Sequence, residues 1–198
     1  MYRIGLDLAY NTVGIAIAGH KKLLYDSLVL TPKERSMSEF QKESLLVNWL
    51  LKNMKPYLAE EHELIIEDIF YQKNFQGFKM IAKMQGAVSF AYYKLTKKEP
   101  TFKMAVSARK NLPVRTRASK AEIQIFIVDT FKLGKISGEV RTEVAANLAD
   151  YQAKKLSGTA FKARMAKVST RIKNETGVDE HQADAILLTM EGLVPHGG

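Results

Sequence analysis

Apolar side chains alternate with polar or small ones along the beginning of the chain, in three short runs. The runs cover residues 2–9, 13–18 and 23–30, and turn-forming residues at 11–12 and 19–22 separate them. Alternation with a period of two is typical of strands, and links this short join strands that run antiparallel. The pattern therefore predicts a three-stranded antiparallel meander.

Helical spacing and short apolar runs then follow in turn. Apolar residues recur every three or four positions over residues 36–54 and again over residues 75–95. Two runs rich in branched residues, 64–67 and 102–106, suit buried strands that lie parallel to the first strand. These stretches predict a helix, a strand, a second helix and a further strand after the meander.

The rest of the sequence predicts helices. Ser119 is placed to cap a helix that reaches residue 131, and apolar stripes continue over residues 140–151 and 161–172. Asp179 and Gln182 match a capping-box pattern that opens a last helix. All elements together predict an α/β fold with a mixed five-stranded sheet, in which the antiparallel meander and two parallel strands are flanked by helices.

Length and composition fit a single domain over residues 1–198. The chain contains no cysteine, which excludes a disulfide framework and thiolate metal sites and is typical of a reducing compartment. No apolar run approaches the roughly 18 residues of a membrane span, and the first residues lack the pattern of a signal peptide. We therefore expect a cytoplasmic protein that has no membrane partner.

Basic side chains outnumber acidic ones by 30 to 21, which gives a formal net charge of +9. The surplus is concentrated in two tracts, residues 103–120 and residues 154–173. A basic stripe of this kind indicates a polyanionic partner such as a nucleic acid. The second tract contains no motif, and its role stays open.

Acidic residues occur at positions where apolar strands would bury them. Asp7 lies inside the first strand, and Glu67 ends the fourth. An unpaired buried carboxylate costs several kcal/mol, and α/β folds collect their ligands at the carboxyl ends of strands. In the last helix, the spacing places Glu180, His181 and Asp184 along one side. The sequence thus predicts that these three elements meet at one edge of the sheet.

Converging carboxylates in a chain without cysteine favour a hard cation such as Mg²⁺, for which Mn²⁺ is the expected substitute. Two such ions in one site can activate a water molecule and stabilise the leaving oxygen in phosphodiester hydrolysis. The basic tracts would hold a polyanion, while the metal ions would make the acidic pocket attractive to phosphate. The composition of the site therefore predicts a metal-dependent phosphodiesterase.

These features resemble the ribonuclease-H-like nucleases. The resemblance rests on Asp7 in the first strand of a meander, Glu67 at the end of the fourth strand, and the pattern His181-x-x-Asp184. Residues 67–74 are similar to the stretch after the second acid in RuvC-type Holliday junction resolvases, above all those encoded by phages of Gram-positive hosts. The resemblance implies a ribonuclease-H-like fold and an endodeoxyribonuclease that resolves four-way junctions by paired nicks in the bacterial cytoplasm.

The same resemblance assigns roles to the acidic residues. The positions that match the family's metal-binding and catalytic residues are Asp7, Glu67, His181 and Asp184. At the histidine position the family has Asp or His, so His181 is expected to bind metal or to carry a proton. Glu180 lies one helical turn before Asp184 and is a further catalytic candidate, whereas a capping role accounts for Asp179.

DNA contacts are implied in the same way. Phe70 matches an aromatic side chain that stacks on an unpaired base, and Lys120 matches a basic residue near the scissile phosphate. The weaker DNA-binding candidates are Lys73, Arg109, Lys110, Arg115 and Arg117. These positions predict a surface that orients the arms of a branched DNA.

The helix over residues 75–95 matches the one that forms a symmetric dimer interface in RuvC-like resolvases. Two-fold symmetry would set two active sites against two strands of the junction. The residues predicted to form this face are Phe78, Ile81, Ala82, Gln85, Val88 and Ser89. The resemblance therefore implies a homodimer.

Other interpretations stay open. Residues 5–12 also resemble the first phosphate-binding loop of actin-like ATPases and sugar kinases, but those folds need two such domains. Another possibility is a different ribonuclease-H-like nuclease that acts on RNA, as in the trimming of ribosomal RNA precursors, or on flap DNA. A non-catalytic junction-binding protein is the remaining alternative, and it predicts salt-sensitive binding without strand cleavage.

Overall fold

The computed structural model describes residues 1–20, 22–69, 75–104, 107–108 and 118–190. The predicted DNA-binding residues that lie outside this part of the chain are Phe70, Lys73, Arg109, Lys110, Arg115 and Arg117. Among the described residues, no helix is both long and apolar enough to cross a membrane.

A mixed five-stranded sheet forms the centre of the fold, as predicted. The antiparallel meander consists of β1 (Tyr2–Ala9), β2 (Thr12–Gly19) and β3 (Lys22–Val29). On the other side of β1, β4 (His62–Glu67) and then β5 (Thr101–Lys103) pair in parallel. The resulting strand order is β3-β2-β1-β4-β5, so the strands that carry Asp7 and Glu67 are neighbours.

The sheet has two chemically different faces because side chains alternate along each strand. The aliphatic face consists of Ile4, Leu6, Leu8, Val13, Ile15, Ile17, Leu64 and Ile66. The glycine face consists of Gly5, Asp7, Gly14, Ala16, Ile65 and Glu67. Across β1 and β2 the register keeps the faces apart, because Leu6 pairs with Ile15 and Asp7 pairs with Gly14.

Two long helices cover the aliphatic face. They are α2 (Glu39–Met54), which follows the single turn α1 (Pro32–Arg35) and ends in the 3-10 turn Lys55–Tyr57, and α3 (Phe75–Thr96). Their buried apolar side chains form one continuous core with the branched residues of the strands. This packing is what periodic helices and alternating strands predict.

The helices after residue 118 cover the glycine face: α4 (Lys120–Phe131), α5 (Gly138–Gln152), α6 (Gly158–Thr176) and α7 (Glu180–Met190). Helix α7 lies directly on β1 and β2, α4 packs beside it, and α6 packs on α4 and α5. The predicted N-cap at Ser119 and the predicted capping box at Asp179 are present, and Ser119 forms a capping box with Glu122. They fix where α4 and α7 begin, at the edge of the sheet that carries the acidic residues.

Two predicted boundaries were wrong. Helix α2 begins after Ser38, whose side chain caps it, and the apolar residue Phe40 is 77% exposed. Helical spacing identifies a helix, but it does not show that an apolar residue of the first turn, here Phe40, is exposed to solvent. Strand β5 ends at Lys103 because its partner in the register is Glu67, the last residue of β4, so no neighbouring strand continues beyond it.

Candidate active site

Close contact between α7 and the sheet determines the geometry of the site. A Cβ atom on Gly14 would lie 2.6 Å from the carbonyl carbon of His181, and one on Gly5 would collide with the carbonyl oxygen of Ala185. Any larger residue at either position would therefore push the helix backbone away from the strands. Gly14 is the register partner of Asp7, so this clearance brings the start of α7 beside that carboxylate.

Asp7 and His181 form a largely buried pair. The Nδ1 atom of His181 lies 2.5 Å from Oδ2 of Asp7. Burial opposes ionisation of Asp7, but the hydrogen bonds from His181 and Glu67 and the charge of Lys120 outweigh it, so the pKa of Asp7 is lowered. Burial also disfavours the imidazolium, but the hydrogen bond to Asp7 and its charge raise the pKa of His181. Both shifts favour the carboxylate form of Asp7 and the imidazolium form of His181, in which Nδ1–H is the donor to Oδ2.

The ionised form of Glu67 is strongly disfavoured in this site. It follows the residues of β4 that pair with β1, which places it on the glycine face beside Asp7. Burial, the hydrogen bond to Asp7 and the charges of Asp7 and Asp184 raise the pKa of Glu67 to about 9. At neutral pH Glu67 is consequently a neutral acid that donates its proton to the Asp7 carboxylate.

Two further side chains complete the charge distribution. Asp184 is buried on α7, and its negative charge acts on both Glu67 and Lys120. Lys120, the first residue of α4, places Nζ 3.2 Å from Oε1 of Glu180. Partial burial would lower the pKa of Lys120, but the charges of Asp184, Glu180 and Asp7 raise it. An ammonium group thus stands at the edge of a carboxylate cluster.

Sequence reasoning placed Gln85 on the dimer face and missed its role at the end of β4, which it supports. Its Nε2 atom donates a 2.7 Å hydrogen bond to the carbonyl oxygen of Glu67. The amide comes from α3, on the other side of the sheet, and is 8% exposed. A polar residue among the buried positions Met84 and Val88 was the available signal.

The predicted acidic residues lie together. The structure brings four of them and His181 to one edge of the sheet, with Lys120 beside them: Asp7, Glu67, Glu180, Asp184 and His181. Asp179 is used otherwise, because its carboxylate caps α7 through Gln182 and accepts a 2.6 Å hydrogen bond from Ser27 Oγ. Its capping role is confirmed.

The donor chemistry of this cluster fits a divalent cation. Carboxylate oxygens are the ligands that Mg²⁺ and Mn²⁺ prefer. The proton on Glu67 reduces the repulsion of its carboxylate by Asp7 and Asp184, and a bound cation would reduce the same repulsion. In the described part of the chain, no three His, Asp or Glu side chains are already grouped as a metal site. Asp7 is bonded to His181 and Glu67, so Glu67 must lose its proton before these oxygens can act as ligands.

The outward face of α3 contains part of the predicted dimer face. Gln85 and Val88 are buried against the protein's own core. The exposed stripe instead contains Gly86, Phe90 and Tyr93, of which Phe90 is 64% exposed. With β5, this stripe borders an open depression of about 490 Å³. Ser89 lines the same depression, and the other predicted residues are partly exposed, as Ser89 is: Phe78, Ile81 and Ala82. Helical period alone did not show that Gln85 and Val88 face the core.

Comparison with known proteins identifies the fold. No protein-family model and no curated protein matches the chain. A solved structure of RuvC from Thermus thermophilus superposes with a TM-score of 0.53 at 12% identity, covering 89% of this chain and 99% of that one. T. thermophilus RuvC in complex with Holliday junction substrate superposes with a TM-score of 0.50 at 12% identity, covering 96% and 90%. The chain therefore has a RuvC-like, ribonuclease-H-like fold.

Proposed function

We propose that this protein is a divalent-metal-dependent endodeoxyribonuclease that resolves Holliday junctions and related branched DNA. The observation that carries the proposal is the meeting of Asp7, Glu67 and Asp184 at one edge of a RuvC-like sheet, with Lys120 and His181 beside them. Similarity to a RuvC solved with Holliday junction substrate supports DNA of this shape as the ligand.

In this proposal Asp7, Glu67 and Asp184 hold the metal, with His181 as a further ligand or as a proton carrier. When bound, Mg²⁺ or Mn²⁺ supplies an activated water and charge stabilisation of the leaving oxygen. Glu67 would have to release its proton to solvent before its carboxylate could hold a metal ion. If His181 is not a ligand, its Nε2–H group is the acid that protonates the leaving oxygen. This nitrogen is on the side of the ring that faces Glu180, and it lies 3.7 Å from Glu180 Oε1. Lys120 Nζ orients the phosphate through its charge.

We also propose a homodimer formed through α3. Gly86 lies in the exposed part of the helix, and a Cβ there would meet no atom of the described chain within 4 Å. A mid-helix glycine costs roughly 0.5–1 kcal/mol, and close approach of a second copy would offset that cost. Phe90 and Tyr93 supply exposed apolar surface on either side. Light scattering is expected to give the mass of a dimer, and Phe90→Glu is expected to give a monomer.

The expectations about origin and location belong to this proposal. The similarity of residues 67–74 to phage-encoded resolvases supports action in the cytoplasm of a bacterial host. The process served would be DNA recombination and repair.

Labelled four-way, forked and linear DNA, incubated with the protein in EDTA or Mg²⁺, tests the nuclease. Symmetric nicks near the crossover, formed only with metal, are expected. Asp7→Asn is expected to abolish them, whereas Asp26→Asn, an exposed carboxylate on β3, is expected to leave them unchanged. Equal cleavage by a folded Asp7→Asn variant would contradict the proposed site. Tight binding without cleavage in Mg²⁺ or Mn²⁺ would favour the non-catalytic binder.

A further inference from the structure

A polar cleft of about 330 Å³ adjoins the candidate active site. Its walls come from β2, β3, α4, α6 and the first turn of α7. Glu180 and His181 line it, but Asp7, Glu67 and Asp184 do not. The cleft is therefore a separate space that shares one wall with the carboxylate cluster, and α6 belongs to the basic tract to which no motif gives a role.

One residue in the wall of this cleft, Gln124, carries a hydrogen-bond acceptor that has no partner among the described residues. Gln124 is fully buried, and its Nε2 donates to the carbonyl oxygens of Val178 at 3.0 Å and Ser169 at 3.4 Å. Both partners can only accept, so the amide cannot turn over. Its Oε1 has no donor within the described residues, and an unmatched buried acceptor costs about 1–3 kcal/mol. The cleft thus favours a ligand that offers an N–H group.

The other lining residues favour a neutral ligand. Thr12 and Ser169 add hydroxyl groups, and Val29 adds an apolar surface. The carboxylates of Asp179 and Glu180 line the cleft together with Lys173 and His181, and Lys173 Nζ lies 3.5 Å from Oδ2 of Asp179. Because these basic and acidic side chains balance one another, the lining does not select a charged group. A planar group with an apolar surface and N–H donors on its edge matches this lining, and a nucleobase is such a group.

Unpaired basic residues lie beside the cleft on α6. Arg164 and Arg171 have carboxylate partners, whereas the exposed Lys162 and Lys167 have no ion-pair partner in the part of the chain that the structure describes. Free lysines are suited to hold the phosphates of a passing strand. Ala166, which lines the cleft, lies between them along the helix.

We propose that this cleft receives one unstacked base, which donates an N–H group from its pairing edge, from the strand that passes the candidate active site. The inference rests on the proposed function, because it takes branched DNA as the polymer. Extruding a base costs a few kcal/mol and costs least where pairing is already broken, as at a crossover. The cleft would give the enzyme a base preference near the scissile bond.

The experiment places 2-aminopurine, which fluoresces more strongly when unstacked, at each position around the crossover of a four-way junction. Fluorescence is measured in EDTA, so that no cleavage is needed. A rise of about 3-fold or more at one position is expected with the wild-type protein, because the base leaves the stack there. Ala166→Leu, which fills the cleft from an exposed position, is expected to remove the rise.

Ala163→Leu is the matched control, because residue 163 is exposed on the same helix but does not line the cleft. It is expected to behave as the wild type. Should Ala166→Leu lose helical circular dichroism, Thr170→Leu, at a second exposed position on the cleft, replaces it. No rise at any position, or an equal rise with a cleft-filling variant that is folded, would overturn the inference.

Cleavage kinetics then separate this inference from the proposed function. With Mg²⁺, replacing adenine by unsubstituted purine at the responsive position removes the amino donor and is expected to slow cleavage about 5- to 150-fold in the wild type. The same change is expected to have little effect in Ala166→Leu. Junction cleavage without any responsive position would leave the nuclease and remove the base pocket. A responsive position without cleavage in any metal would keep the pocket and remove the nuclease.

Discussion

The two faces of one sheet solve different problems. Along β1, Leu6 and Leu8 are buried among aliphatic side chains, while Gly5 and Asp7 face the backbone of α7. The aliphatic face excludes water through bulk. The glycine face excludes it through the absence of side chains, which lets a helix bring His181 within hydrogen-bond distance of Asp7. Stability and chemistry are thus assigned to alternate residues of the same strands.

Adding a side chain at Gly14, where α7 lies closest to the glycine face, should have the largest effect on cleavage. Gly14→Ala forces a shift of the α7 backbone near His181, and displacements of about 1 Å can cost roughly 100-fold in rate. We expect junction cleavage to fall by about that factor. Gly158→Ala, where a Cβ would meet no atom of the described residues within 4 Å, is the matched control and should cleave normally. Normal cleavage by Gly14→Ala would show that the close contact does not set the site.

Truncating the core of the aliphatic face should affect stability rather than cleavage. Leu50 is fully buried there, and Leu50→Ala is expected to lower the free energy of unfolding by about 2–5 kcal/mol. Denaturant titration measures this change. Well below the melting temperature, the cleavage rate should stay within about 2-fold of the parent. A rate loss as large as that of Gly14→Ala would show that the two faces are not separable.

Replacing Glu67, whose ionised form is disfavoured in the folded protein, should stabilise the metal-free protein. The pKa of Glu67 is about 9 in the folded protein and 4.5 in its reference state. Between pH 4.5 and about pH 9, the unfolded chain loses a proton that the folded protein keeps, so stability falls as the pH rises through this range. Gln resembles the neutral acid. We expect Glu67→Gln to raise Tm by roughly 2–4 °C at pH 7.5 in EDTA, which corresponds to about 1 kcal/mol.

The pH dependence provides the control for Glu67→Gln. The difference in Tm between Glu67→Gln and the parent should shrink as the pH falls toward 4.5. Glu67 then becomes protonated in the unfolded parent as it already is in the folded parent. The same variant is expected to lose cleavage. A lower Tm than the parent at pH 7.5 would indicate that ionised Glu67 stabilises the fold.

The smallest effect is expected at the outer layer of the glycine side. Arg141 on α5 pairs with Asp129 on α4, and this exposed pair lowers the pKa of Asp129 through the hydrogen bond with Arg141. Surface pairs contribute about 0–1 kcal/mol, so Asp129→Asn should change stability by less than that. The contribution is present above pH 3.8 and is lost as pH falls below it. A larger loss, or slower cleavage, would connect the outer helices to the site.

The aliphatic face was predictable from sequence, and the details of the glycine face were not. Alternation in β1 and periodicity in α2 encode burial directly, so strand order and helix positions followed from them. Spacing also predicted that Asp7, Glu67 and the start of α7 would meet. Period does not encode which stripe of a helix faces inward, and Gln85 and Val88, predicted for the outward face of α3, are therefore found buried. The roles of Gly5 and Gly14 depend on a neighbour distant in sequence, which no local pattern reveals.

The clearance beneath α7 also affects how the gene tolerates mutation. Every missense change in the codon for Gly5 or Gly14 adds at least a Cβ atom, and there is no smaller residue to accept. In a library of random variants selected for function, these two codons should be depleted of substitutions as strongly as the codon for Asp7. Codons 138 and 158, whose glycines have open space around them, should vary freely. A constraint map of the gene would therefore mark residues that perform no chemistry.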